Sequence, residues 1–297
     1  MLVPIDGSEI AEGSLPFARE LSSRLGWETT LLHVCSIGEV PSLAVCKSYV
    51  EHTAEEVNKD DGKKWPPIAA DTVVGVVPDS ILIYAETHGA NIILLTRYGK
   101  TGKTRWFMGT VAHRLITAAN VPVLIVNPDG KNSEVPAGWP NSVLVLLDQS
   151  KPSEAILPWV EDLCGQTKSR TEIVLFSVCE PPDLLSDYPE AIMPMTWEEH
   201  VKKAKAAAEE KCGVYLADLS RRLSDSGMHV NIHTVVGKNV VDEIKRYISS
   251  RPFDLVAMTT RGQSGTASWP FGHVADRIIQ DTQTPLLLVR PPSPETG

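Results

Sequence analysis

The stretch Tyr98-Gly99-Lys-Thr-Gly-Lys-Thr-Arg-Trp-Phe-Met-Gly109-Thr110, running on to Asn120-Val-Pro-Val-Leu-Ile-Val126, returns later in the chain. It reappears as Arg261-Gly262-Gln-Ser-Gly-Thr-Ala-Ser-Trp-Pro-Phe-Gly272-His273, followed by Thr284-Pro-Leu-Leu-Leu-Val289. Gly99 maps to Gly262, Trp106 to Trp269, Gly109 to Gly272 and Pro122 to Pro285, each pair 163 residues apart. Upstream, Val3-Pro-Ile-Asp-Gly-Ser8 pairs with Val145-Leu-Leu-Asp-Gln-Ser150 at an offset of 142, and His33-Val-Cys35 with Ser177-Val-Cys179 at 144. The offset rises by 21 residues, from 142 to 163, an insertion in the second copy that falls mostly between Cys179 and Gly237. A period this long marks duplicated domains rather than a solenoid. A chain of 297 residues has room for two domains of roughly 150. The boundaries that follow are residues 1–128 for the first domain, 129–141 for the linker and 142–297 for the second, with the insertion at about 180–200. The stretch from Asn127 to Asn141 is rich in Pro, Gly and Asn and has no apolar period, as a linker should.

Within the first copy, Met1–Ile5, Thr29–Val34, Thr72–Val77, Ile92–Thr96 and Val121–Val126 read as strands too apolar to have a wet face. Between them Ala11, Leu15, Ala18 and Leu25 share a helical face, and two further helices run from Pro78 to Glu86 and from Thr110 to Ala119. In the second copy Thr196-Trp-Glu-Glu199 is a capping box. It opens a helix reaching Ser224, with Val201, Ala204, Ala208, Cys212, Tyr215, Leu219 and Leu223 at helical spacing behind the proline-rich stretch Pro181–Pro194. The order β-α-β-α-β-α-β-α-β with right-handed crossovers gives an α/β fold: two tandem, doubly wound, parallel five-stranded sheets of Rossmann-like type. Ligands of such sheets bind beyond the carboxyl ends of the strands.

Composition narrows the function classes. Lys and Arg number 28 against 37 Asp and Glu, a net charge of -9, which argues against a nucleic-acid binder held by a basic face. The longest apolar runs fall far short of the ~20 residues that span a membrane, and no charged-then-apolar leader opens the chain. A cytoplasmic, membrane-free protein is expected. Five cysteines, without a C-x-x-C pair, signal neither a disulfide framework nor a zinc ribbon. Cys35 and Cys179 each follow a strand end and read as buried, inert thiols. The eight histidines do not cluster with cysteines or carboxylates at metal spacing, so no metal site of protein ligands is expected.

Three features of the first copy meet at the carboxyl edge: Asp6-Gly7-Ser8, His33-Val34-Cys35, and the loop from Thr96 to Thr110. Glycines let backbone amides approach a phosphate, and a helix N-terminus adds donors and partial positive charge. Neither a Walker A loop nor G-x-G-x-x-G is present, since Arg97 stands where the first Walker glycine belongs.

With its Val-Pro-Ile-Asp-Gly-Ser start, its Val-Pro-Val last strand and both copies aligned, the chain resembles the universal stress protein family in its tandem form. The family loop is G-x-x-G, nine residues, then G-(S/T). Gly99, nine residues and Gly109-Thr110 match it, with Thr96 in place of the first glycine. The resemblance implies an ATP-binding fold. The aspartate after strand one and the backbone ending strand two hold adenine, and the loop holds ribose and phosphates. Carried over, the binding residues are Pro4, Asp6, Val34, Thr96, Gly99, Gly109, Thr110 and Val111.

A second, weaker site is expected at Asp148, Val178, Thr259, Gly262, Gly272, His273 and Val274. There Gln149 replaces the glycine after the aspartate, His273 the Ser or Thr, and Gln263, Thr266 and Ser268 replace Lys100, Lys103 and Arg105. The residues also admit plainer roles: Asp6 and Asp148 suit helix capping, the glycines suit turns, and Trp106 and Trp269 suit packing.

The expected function is that of a nucleotide-dependent stress sensor or regulator, with ATP chiefly in the N-terminal domain and magnesium arriving with the nucleotide. No nucleophile, base and orienting group assemble from the motifs, so no catalytic residue is assigned and at most slow ATP hydrolysis is expected. Two other readings stay open: a slow ATPase or nucleotide-processing enzyme, and a nucleotide-free interaction module. The apolar last strands, Val121–Val126 and Thr284–Val289, need cover at their sheet edges. The resemblance implies that single-domain relatives dimerise there. An intramolecular pseudo-dimer with Val123 and Ile125 near Leu286 and Leu288 is therefore expected, alongside a further homodimer.

Overall fold

The structure, a computed structural model, describes residues 1–36, 38, 42–59, 66–100, 108–128, 134–165, 171–180, 196–262 and 271–291. Ten strands form one sheet in the order β3-β2-β1-β4-β5-β10-β9-β6-β7-β8. In the first half these are β1 (Leu2–Pro4), β2 (Thr30–Cys35), β3 (Ala69–Val74), β4 (Ile93–Thr96) and β5 (Val123–Val126). The second half repeats them as β6 (Ser142–Leu146), β7 (Glu172–Cys179), β8 (His229–Val236), β9 (Leu255–Thr259) and β10 (Leu286–Val289). All pairings are parallel except β5 with β10, which run antiparallel at the centre.

The expected join is present: Val123 lies opposite Leu288 and Ile125 opposite Leu286. Two edges that would each expose a row of unpaired backbone groups thus satisfy one another within the chain. Arg97, 1% exposed, reinforces the seam. Its guanidinium donates to the carbonyls of Ile279 and Thr282 at the end of α10 (His273–Asp281), and its Nε donates to Asn127 Oδ1 at 3.2 Å. A cation at a helix C-terminus is favoured by the helix dipole. Nothing in the spacing of Thr96-Arg-Tyr signals this role.

Continuous apolar strands feed two cores, because successive side chains point to opposite faces. Leu31 and Val145 join one face, and Leu32 and Leu144 the other. The first face is covered by α2 (Leu15–Leu25), α3 (Leu43–Asn58), α7 (Leu157–Cys164) and α8 (Trp197–Asp225). The second is covered by α4 (Val77–Thr87), α5 (Thr110–Ala118), α9 (Val240–Ser250) and α10.

Four sequence expectations need correction or completion. β3 is an edge strand with exposed residues along it, as long as the expected Thr72–Val77 but shifted three residues earlier; Val77 already begins α4. The single early helix is two pieces, α1 (Glu9–Glu12) and α2. Pro16 sits in the first turn of α2, as Pro158 does behind α6 (Lys151–Glu154), and a ring without an N–H cannot continue the preceding helix. The helix that the alternating order requires between β2 and β3, to which the apolar pattern assigns no residues, is α3, whose buried side is only Val50, Thr53 and Ala54. Finally, the described part of the linker stretch is packed rather than loose. Trp139, 3% exposed, meets Phe17 edge-on at 4.9 Å, and its carbonyl accepts from Arg24 at 3.0 Å.

The capping box on α8 is formed by Thr196 and Glu199. With 29 residues against 16 in its counterpart α3, α8 takes up much of the insertion. Along the expected stripe, Cys212, Leu219 and Leu223 are buried, while Val201, Ala204 and Ala208 are only half-buried. The Pro181–Pro194 stretch, Lys103, Arg105 and Trp106, and Gln263, Thr266, Ser268 and Trp269 lie outside the described residues.

Candidate functional site at the carboxyl edge of each half

In the order β3-β2-β1-β4-β5 the winding direction reverses between β1 and β4, and in the second half between β6 and β9. Such a switch point opens a crevice outside the carboxyl ends of the two strands. Asp6 follows β1 and the glycine loop follows β4, so the topology alone brings them together.

The contact is close. Asp6 Oδ2 accepts the Lys100 N–H at 2.6 Å, and Oδ1 accepts the Ser8 N–H at 3.0 Å and the Ser8 hydroxyl at 2.6 Å. A Cβ on Gly99 would lie inside contact distance of Asp6 Oδ2, 3.4 Å from its Cγ. Any larger residue there would push the Asp6 carboxylate out of its present position. The second half repeats the arrangement more tightly. A Cβ on Gly262 would lie 2.8 Å from Asp148 Cγ, and Asp148 Oδ1 accepts from the Ser150 amide at 3.0 Å and hydroxyl at 2.5 Å.

The plainer capping role falls to neighbouring residues. Ser8 and Ser150 are the N-caps of α1 and α6, accepting from the amides of Ala11 and Ser153, while the aspartates hold those serines. With three donors already on Asp6, the carboxylate retains about one acceptor position for a ligand.

Thr96 and Thr259, where the family has glycine, turn their hydroxyls onto the carbonyls of Tyr98 (2.6 Å) and Arg261 (2.7 Å). Both are buried, so the side chain braces the loop from beneath in each half. Gly109 and Gly272 are the N-caps of α5 and α10, and among the described residues no side chain caps either helix. The first amides of both helices are thus left for another acceptor. A Cβ at Gly109 would stand 3.2 Å from the Arg97 carbonyl, whereas at Gly272 the nearest atom is an ordinary 3.7 Å away.

Pro4 ends β1 and Val34 is the last residue but one of β2, half-buried and buried respectively. Thr110 is exposed and Val111 half-buried at the start of α5. From α3, Tyr49 donates to Glu12 Oε1 at 2.9 Å, and its ring carbon lies 4.0 Å from where a Gly7 Cβ would be. Burial, followed by the bond to Glu12, pushes the Tyr49 phenol well above its ordinary range, so it stays a donor at neutral pH.

In the second half all seven expected residues, Asp148, Val178, Thr259, Gly262, Gly272, His273 and Val274, line one cavity of about 630 Å³. Ligand-sized sites commonly fall between ~300 and 1,000 Å³. Its wall also contains groups the repeat alignment did not single out. α8 contributes Lys211 and Tyr215, whose phenol is pushed up to about 12 by burial first and then by the carboxylates of Glu154 and Asp148. Lys211 supplies a cation in place of those lost from the loop. Gln149, also in the wall, adopts φ +65 where Gly7 has φ +82, a left-handed conformation that costs a residue with a Cβ roughly 1–2 kcal/mol.

Cys179 is corrected as well: it forms a disulfide with Cys212 across the cavity wall. No C-x-x-C spacing could show this, because the partners come from a strand end and a helix 33 residues apart. Among the described residues, no three His, Cys, Asp or Glu side chains are grouped to hold a metal ion, and no helix is long and apolar enough to cross a membrane.

The family model described as "Universal stress protein family" matches the chain twice, over residues 1–127 and 141–290. Universal stress protein Slr1230 of Synechocystis is 23% identical over 319 residues, spanning 98% of this chain and 99% of that protein. Universal stress protein MJ0577 of Methanocaldococcus jannaschii is 30% identical over 153 residues, 42% of this chain and 93% of its own. Among solved structures, a universal stress protein from Archaeoglobus fulgidus has a TM-score of 0.63 at 18% identity, covering 98% of this chain and 97% of that one, a likeness of fold. The doubled crevice, the aspartate pinned against its glycine, and two family matches spanning nearly the whole chain agree: this protein belongs to the universal stress protein family.

Proposed function

We propose that each half binds an adenine nucleotide at its carboxyl edge, with ATP held chiefly by the N-terminal half, and that the chain acts as a nucleotide-dependent regulator. The observation that carries this reading is the second-half cavity, where an aspartate, two glycines, an uncapped helix start and Lys211 converge on a space of about 630 Å³. The first half presents the same aspartate–glycine contact and an equally uncapped α5. In this reading Asp6 and the backbone at Val34 face the base, while the loop amides and the first turn of α5 face the phosphates. The preference for the first half rests on Gly7 and Thr110. Their second-half counterparts are Gln149, which fills part of the wall, and His273, which carries no hydroxyl. Lys211 narrows that difference.

A regulatory role is supported by Arg97. Its carbonyl accepts the Gly109 amide at the first site (3.1 Å), and its side chain caps the far end of α10, whose start lines the second. A ligand that shifts one loop therefore bears on the helix of the other.

Titration calorimetry of ATP into the full chain, compared with Gly109→Val and Asp148→Ala, tests the assignment. The parent should show a stronger and a weaker site, with the stronger lost in Gly109→Val and the weaker in Asp148→Ala. Folded Gly109→Val with unchanged affinity would overturn the first-half assignment, and two equivalent sites would overturn the preference.

A further inference from the structure

The disulfide has a counterpart. Cys35 is the last residue of β2 and Cys179 the last of β7. Cys46 lies in the first turn of α3, and Cys212 lies in α8, the helix at the same place in the other half. Cys179 and Cys212 are bonded, whereas Cys46 Sγ donates to Cys35 Sγ at 3.3 Å as a thiol. The duplication thus carries a strand-end sulfur and a crossover-helix sulfur in both halves, one pair joined and the other a short approach from joining.

In each half the pair sits against the candidate site. Cys179 and Cys212 line the cavity, and Cys212 is buried on α8. Cys35 follows Val34 directly. Cys46 is half-buried and three residues before Tyr49, the residue that reaches Glu12 and the Gly7 turn. The start of α3 has little other anchorage, since Leu43 is 37% and Val45 69% exposed.

We propose that Cys35 and Cys46 form a reversible redox pair, the counterpart of Cys179–Cys212, whose disulfide fastens the start of α3 beside the first nucleotide site and tightens binding there. The tightening rests on the nucleotide reading above; the pair itself does not. The oxidant is a hydroperoxide. The half-buried Cys46 thiolate attacks one peroxide oxygen, the O–O bond breaks, and an alcohol (water, from hydrogen peroxide) leaves, giving a sulfenic acid. Cys35 then attacks that sulfur and a second water leaves as the S–S bond forms. Two thiols give up two electrons and two protons, and the peroxide is reduced by the same two electrons. Cys164 stands apart: burial pushes its thiol up to about 12, which keeps it protonated and unreactive. A helix wall fixed in its bound position lowers the ordering cost of binding, which is why the oxidised form should bind more tightly.

The full chain treated with limited hydrogen peroxide, alkylated and mapped by peptide mass spectrometry should yield a Cys35–Cys46 cross-linked peptide that dithiothreitol reverses. Cys46→Ser should lose that link and keep Cys179–Cys212. Calorimetry with ATP should show at least threefold tighter binding at the stronger site in the oxidised parent than in the reduced one, a difference absent from Cys46→Ser. Recovery of Cys35 and Cys46 as separate thiols or sulfinic acids, or cross-linked between chains, would overturn the pair. Equal affinity in both redox states, or a difference that persists in Cys46→Ser, would overturn its effect on binding. Absence of ATP binding in either state would overturn the nucleotide reading, with the peptide map still deciding the pair.

Discussion

Replacing Gly99 with alanine tests the contact on which the site is built. The new Cβ would overlap Asp6 Oδ2 and lie 3.4 Å from its Cγ, so the carboxylate must retreat by about 1 Å to restore a normal contact. Asp6 Oδ2 accepts the Lys100 N–H at 2.6 Å, and a retreat of that size lengthens the bond beyond hydrogen-bonding distance. A lost bond to a charged acceptor costs about 1.5–3 kcal/mol. Alanine returns about 0.4–1 kcal/mol by restricting the unfolded chain. The net loss is then about 1–2 kcal/mol, a fall in Tm of roughly 2–3 °C for a chain of this size. Because the same bond positions the loop, ATP affinity at the first site should fall about tenfold, the equivalent of one lost charged contact. Gly262→Ala should cost more stability, since its Cβ would stand 2.8 Å from Asp148 Cγ. Gly213→Ala is the control: nothing lies within 4 Å of that Cβ on α8, and the helix should gain up to about 1 kcal/mol. Scanning calorimetry and ATP titration on the three variants read all of this. If Gly99→Ala melts and binds like the parent while Gly213→Ala behaves as stated, the reasoning about the aspartate–glycine contact is refuted.

Val123→Lys places a charge at a residue 2% exposed in the strand joining the two halves, and should destabilise the chain by several kcal/mol in urea unfolding. An unchanged midpoint would mean the seam contributes little. Arg97→Met removes the donors to the Ile279 and Thr282 carbonyls and should cost about 2–4 kcal/mol, also read in urea. At the sheet edge, the hydrogen bond from Arg251 holds the Glu172 carboxyl below its usual range against the opposing effect of burial, with Asn231 adding to it. A depressed carboxylate stabilises the fold above its unfolded pKa near ~4.3 and loses that contribution as pH falls through the lower folded value. For this partly exposed pair the effect is at most about 1 kcal/mol, and Arg251→Gln should flatten the acid limb of a pH–stability curve by that amount.

The fold was legible because its sequence signals were duplicated. Gly99 and Gly262, at one spacing from Gly109 and Gly272, placed the loops, and apolar runs such as Val121–Val126 placed the central strands. The aspartates were legible too, since each follows a first strand whose neighbour across the switch point carries the loop. What escaped was long-range or weakly patterned. The pairing of Cys179 with Cys212 joins elements that only the folded chain brings together. Arg97 lies in a loop motif that gives no hint of a helix end more than 180 residues away. The start of α3 is half exposed, so its apolar period is faint, and Trp139 anchors a stretch whose Pro and Gly content reads as loose chain. Lys211 was hidden for a related reason: it lies on α8, far in sequence from the loop whose aligned positions lose their cations, and only the folded chain brings it to the cavity wall.

Equilibrium dialysis of labelled ATP against the full chain tests the central claim most directly, because it counts bound nucleotide without assuming where it sits. The account predicts binding that approaches one ATP per chain at low concentration and rises toward two as the weaker second site fills. A correctly folded chain that retains no ATP at millimolar concentration would contradict it.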